Sequence, residues 1–101
     1  MASTPQIQSL TAQASDSDLT LFDYALKEAN QIKVDSSRQQ KLAYIAAKYA
    51  EVQQFERAIA LAENLSEEWS QSEALSKIAV LSWKAGQTQK SQLLLERLKA
   101  L

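Results

Sequence analysis

From residue 19 onward, apolar side chains recur at steps of three and four. Leu19, Phe22, Ala25, Leu26, Ala29 and Ile32 fall on one face of an α-helix. Asp18 is placed to cap it. The stretch Val34-Asp35-Ser36-Ser37 breaks the pattern and offers capping oxygens for a second helix, which carries Leu42, Ile45, Ala46 and Tyr49. Ser66-Glu67-Glu68 reads as a cap followed by acidic residues in the first turn, where the helix dipole favours them. The helix it opens carries Leu75, Ile78, Ala79 and Trp83 and stops at Gly86. Thr88 then caps a last helix bearing Leu94, Leu95, Leu98 and Leu101. Upstream of residue 19 the chain is rich in Ser, Thr, Gln and Asp. Residues 1–18 therefore read as a polar tail. Thr4-Pro5, followed by Ile7, Leu10, Thr11 and Ala14 at helical spacing, leaves a short docking helix as the alternative.

The segment IAAKYAEVQQFERAIALAENL, residues 45–65, has no glycine or proline to divide it. The chain itself supplies the division. The shift that lays Phe22 on Phe55 also lays Ala25 on Ala58, Leu26 on Ile59, Ala29 on Ala62 and Ile32 on Leu65. It lays Leu42 on Leu75, Ile45 on Ile78, Ala46 on Ala79, Leu61 on Leu94 and Leu65 on Leu98 as well, with no gap. Finally, it sets Gln53 under Gly86. The expectation is a turn near Val52–Gln54, with Gln53 in the left-handed conformation at a cost of about 1 kcal/mol. The domain is then 19–101: half a repeat, two full repeats and about five helices, all-α.

The order Ile45, Ala46, Tyr49, Phe55, Ala58, Ala62, Leu65 resembles the tetratricopeptide repeat. That repeat pairs antiparallel helices and sets an apolar residue, a small one, an aromatic, a turn, an aromatic and an Ala in sequence. The next copy matches through Ile78, Ala79, Gly86, Leu95 and Leu98 and departs at Ser82, Thr88 and Ser91. The usual proline after the second helix is absent, and the period is 33 rather than 34. The resemblance covers residues 19–101. It implies a right-handed α-α superhelix of stacked hairpins, with a concave face lined by the first helix of each pair. By position that face holds Tyr44, Ala47, Glu51, Glu73, Lys77, Val80, Trp83 and Lys84.

Composition narrows the function classes. One Gly and one Pro in 101 residues leave few sharp turns. There is no Cys and no His, which removes disulfides, thiolate sites, the commonest general base and the commonest metal ligand. No Gly-rich phosphate loop or nucleophile motif is present, and the adjacent Glu67 and Glu68 diverge by about 100° on a helix, a poor acid–base pair. The expectation is a protein that is not an enzyme and takes no cofactor or metal. A net charge of −1 speaks against nucleic acid. No stretch approaches the roughly 20 apolar residues of a membrane span, and the first residues lack a basic and apolar leader. A cytoplasmic location without membrane insertion is expected.

What remains is an interaction module, an adaptor, scaffold or assembly factor with a peptide or protein partner on its concave surface. Trp83 stands out, because its counterpart one repeat earlier is Ala50. Among Lys77, Val80 and Lys84 it is suited to anchor a peptide or an acidic segment; the alternative is ordinary core packing. Trp69 reads as a structural plug near the turn that precedes its helix. The alternative function is a structural subunit that self-associates as a homo-oligomer through the leucine-rich last helix, at Leu93, Leu98 and Leu101.

Overall fold

The computed structural model describes residues 16–101, and among these it is all-helical, with no strand. Five helices follow one another: α1 Asp16–Asn30, α2 Asp35–Glu51, α3 Phe55–Glu63, α4 Glu68–Lys84 and α5 Thr88–Ala100. The tail and docking-helix readings of residues 1–15 lie outside the described residues. Helix α1 starts two residues before Asp18, the expected cap, so residues 16–18 belong to the helix rather than to a tail. Acidic residues in a first turn are favoured by the helix dipole.

The division of residues 45–65 is as expected. Helix α2 ends at Glu51, and Gln53 takes φ +63°, the one positive φ outside glycine among the described residues. Gly86 takes φ +82° at the end of α4. The two ends carry the same pair of closing hydrogen bonds. The Gln53 amide donates to Ala50 O at 3.0 Å and the Gln54 amide to Tyr49 O at 2.9 Å. At the second end, the Gly86 amide donates to Trp83 O at 3.0 Å and the Gln87 amide to Ser82 O at 2.8 Å. This is the Schellman pattern, which satisfies carbonyls the helix leaves unpaired.

Helix starts are less simply encoded. The N-cap positions are Val34, Gln54, Glu67 and Gln87, and none makes a side-chain cap. Thr88, expected as a cap, is instead the first helical residue; in the stretch expected to cap α2 the helix already begins at Asp35, and Ser66, expected to cap α4, lies one residue before the N-cap position Glu67. Residues from other helices take over. Gln39 Oε1 of α2 accepts from the amides of Ser66 and Glu67 at 2.9 and 3.2 Å, just ahead of α4. Gln71 Nε2 of α4 donates back to Ala62 O and Glu63 O at the end of α3. Arg38 of α2, 33 residues before Gln71 in the sequence, donates to Ile32 O at 2.8 Å beyond the end of α1.

Helix α2 touches α1, α3 and α4; helix α4 touches α2, α3 and α5. The assembly is a slab of 48 × 32 × 13 Å. Its core is small-residue rich: Ala46, Ala58, Ala62, Ala74 and Ala79 are nearly inaccessible and let the helices approach, while Leu42, Ile45, Tyr49, Phe55, Leu65, Leu75, Ile78 and Leu94 fill the space between them. Phe22 meets Tyr49 edge to face with centroids 5.0 Å apart, and the Tyr49 hydroxyl donates to Asp23 at 3.0 Å. Ala25, expected in the core, is exposed. The backbone of α1 lies close to α2 alone, and one neighbour covers a narrower arc than two. The departures Ser82 and Ser91 are buried, and both hydroxyls donate to Ala79 O, so no buried side-chain polar atom lacks a partner among the described residues.

Candidate functional site

The packing of α2 against α4 determines which residues stay outside. On α4 the buried set, Ser70, Ala74, Leu75, Ile78, Ala79 and Ser82, occupies one side. At about 100° per residue, Trp69, Ser76, Val80 and Trp83 fall within about 60° of one another on the opposite side, with Glu73, Lys84 and Lys77 along one edge. Trp69 is 68% exposed, Trp83 64%, Val80 51% and Tyr44, across on α2, 58%. Trp69 to Trp83 spans about 21 Å of helix. Trp83 is therefore not core. Trp69 is not a plug: position 69 faces away from the core, on the stripe that ends at Trp83.

Two hollows lie along the α2–α4 seam. One, of about 380 Å³, is lined by Ala47, Glu51, Ser76, Lys77, Val80 and Leu81. The other, of about 310 Å³, is lined by Gln40, Ala43, Tyr44, Trp69, Glu73, Ala74 and Lys77. Lys77 is common to both and stands between them. Of the residues expected on this face, Tyr44, Glu51, Glu73, Lys77 and Val80 line the hollows; Trp83 and Lys84 are exposed on α4 beyond them. Ala47 is buried, and forms part of the lining of one hollow rather than a protruding contact. The sequence reading misses Gln40, Ser76, Leu81 and above all Trp69. The signal for Trp69 is angular: Val80 lies close to three whole turns after it and Trp83 close to four, which returns all three to one side of the helix.

The charges on this face are unequal. Lys48 donates to Glu51 at 3.3 Å and sits over the Tyr44 ring at 5.2 Å. The hydrogen bond to Glu51, then its charge, hold the Lys48 ammonium above the ordinary lysine value. Lys77, Lys84 and Glu73 form no ion pair with any described residue.

The expected oligomer surface is split. Leu98 is half-buried and packs on the core; Leu93 and Leu101 are exposed, as is Leu95. Gln89, Gln92, Glu96 and Lys99 share the outer side of α5 with Leu93 and Leu95, around a shallow hollow. No helix among the described residues is long and apolar enough to cross a membrane. Comparisons with protein-family models, with curated proteins and with solved structures found no match.

Proposed function

We infer that this chain is a non-catalytic protein-interaction module, a tetratricopeptide-like stack of helical hairpins that holds a peptide or protein segment on the face formed by α2 and α4. The observation that carries this reading is the exposed stripe of Trp69, Val80 and Trp83 on α4: Trp69 lines one hollow with Tyr44 of α2, Val80 lines the other, and Trp83 stands beyond them. Aromatic side chains left in water are costly, and a seam of hollows between them gives a partner's side chains somewhere to seat. The repeat reading is supported by helix bounds and closing hydrogen bonds that recur at one offset, from Glu51 to Lys84 and from Gln53 to Gly86. In such a stack the first helix of each pair, here α2 and α4, lines the binding face. A photo-crosslinking residue at Val80 tests the reading in cells of the source organism. The expected result is a discrete protein adduct at position 80, lost with Trp69→Ala/Trp83→Ala, and none from the same residue at the exposed Ala60 of α3. Equal adducts at both positions, or none at 80, would remove the face from consideration.

The exposed leucines of α5 support a second reading, self-association through that helix. Its test is the oligomeric state, taken up in the Discussion.

A further inference from the structure

We propose that the α2–α4 face selects a segment combining an aliphatic side chain with flanking carboxylates, set in one direction along the seam. This rests on reading that face as the binding surface and adds the chemistry of its occupant. The hollow lined by Ala47, Val80 and Leu81 is the more apolar of the two and suits an aliphatic side chain. Lys77 lies one helical turn before Val80 and Lys84 one turn after it, both exposed and neither paired to a carboxylate among the described residues. Glu51, the carboxylate lining the same hollow, is already answered by Lys48. Two lysines thus bracket the apolar hollow, about 10 Å apart along α4, in a protein whose net charge is −1. Carboxylates spaced by about 10 Å, on either side of a Leu- or Ile-like residue, match them. The spacing, with both side chains on one face, is met by i and i+7 on a helix or by i and i+3 in a polyproline II conformation, which repeats every three residues.

The other end of the seam is different. Glu73 forms no ion pair with a described residue and lines the second hollow with Gln40, Tyr44 and Trp69, with Lys77 at the edge shared with the first. A carboxylate there meets like charge, whereas an amide, hydroxyl or cation finds acceptors and two ring faces. The seam therefore runs from Glu73 through Lys77 to Lys84, and a bound segment lies with its carboxylates over the Lys77–Lys84 stretch and its uncharged or cationic end toward Glu73.

Selection from a random dodecapeptide display library on the immobilised full chain tests this. Peptides retained by the wild type and not by Trp69→Ala/Trp83→Ala are expected to be enriched in Asp or Glu around Leu, Ile or Val. Their binding should weaken about tenfold with Lys77→Glu/Lys84→Glu and fall on raising salt from about 50 to 300 mM. Unchanged helix content by circular dichroism controls for folding. If retained peptides are neutral or basic, or bind the charge-reversed protein equally well, the acidic-segment proposal fails while the face remains a binding surface. If the wild type retains nothing that the double-alanine variant does not, both fail.

Discussion

At position 53 a glutamine does what a glycine does at position 86, and the difference between them is measurable. Both sit at the same place in a Schellman closure. A side chain in the left-handed region meets its own backbone, which glycine avoids. Gln53 is exposed, so its replacement loses no packing. Gln53→Gly should stabilise the protein by roughly 0.5–1 kcal/mol, after the extra freedom glycine has when unfolded. A Cβ added at Gly86 would meet nothing within 4 Å. Gly86→Ala should therefore cost only the backbone term, about 1 kcal/mol, and Gly86→Val more. Urea midpoints decide the matter, and a loss of stability in Gln53→Gly would mean that the helix runs on through residue 53. Tyr49 offers a second residue-level check. Burial first, then the hydrogen bond to Asp23, raise its pKa above the ordinary tyrosine value of 10.0. The fold holds the neutral phenol. The stability this gives is complete below the unfolded value and is lost as pH rises through the raised one. Stability measured from about pH 8 to 12 should fall at the alkaline end. Tyr49→Phe should flatten that fall while costing about 0.5–1.5 kcal/mol at neutral pH.

The helices themselves are legible because their apolar spacing is dense and the internal repeat marks the turns. Leu42, Ile45, Ala46 and Tyr49 are buried as the period requires, and so are Leu75, Ile78 and Ala79. What the sequence does not reveal is how the helices begin. Asp35 and Thr88 have the chemistry of caps yet stand one residue inside their helices. The groups that complete the start of α4 and the end of α3 come from Gln39 and Gln71, 8 to 28 residues away from the atoms they bond. A local reading has no means of pairing glutamines with such distant groups. Trp69 escapes it for a related reason: nearness to a turn suggests a plug, whereas angular position on α4 decides exposure. The Gln39 contact makes a prediction for α4. Gln39 is nearly inaccessible, and its Oε1 serves two amides at once. Gln39→Leu keeps the volume and removes the acceptor, and should cost about 1–2 kcal/mol. Hydrogen exchange should report the loss first at the Ser66 and Glu67 amides. Exchange there no faster than in the wild type would show that Gln39 does not protect these amides.

Across the described residues, helices α1, α3 and α5 are tied by ion pairs that recur at a fixed offset. Asp23 meets Arg57 at 3.6 Å, Glu56 meets Lys90 at 2.7 Å, and Glu63 meets Arg97. The same sequence separation recurs in all three, linking α1 to α3 once and α3 to α5 twice. Exposed pairs of this kind add at most about 1 kcal/mol each, so their main effect is to set the register of the α1, α3 and α5 side. These three helices carry the ion pairs together with exposed Leu21, Tyr24, Leu93 and Leu95, whereas the exposed tryptophans are both on α4. The asymmetry bears on how copies of the chain meet. The exposed part of α5 mixes Leu93 and Leu95 with Gln89, Gln92, Glu96 and Lys99, while Leu98 is already turned inward. Leucines separated by charged and amide side chains lack the contiguous apolar centre of a stable dimer interface. Sedimentation at increasing concentration, up to tens of micromolar, is therefore expected to give one species near 11.2 kDa. A dimer that Leu93→Glu abolishes and Trp69→Ala/Trp83→Ala leaves intact would move the functional surface to α5. A dimer with the opposite response would make a second copy the occupant of the α2–α4 face.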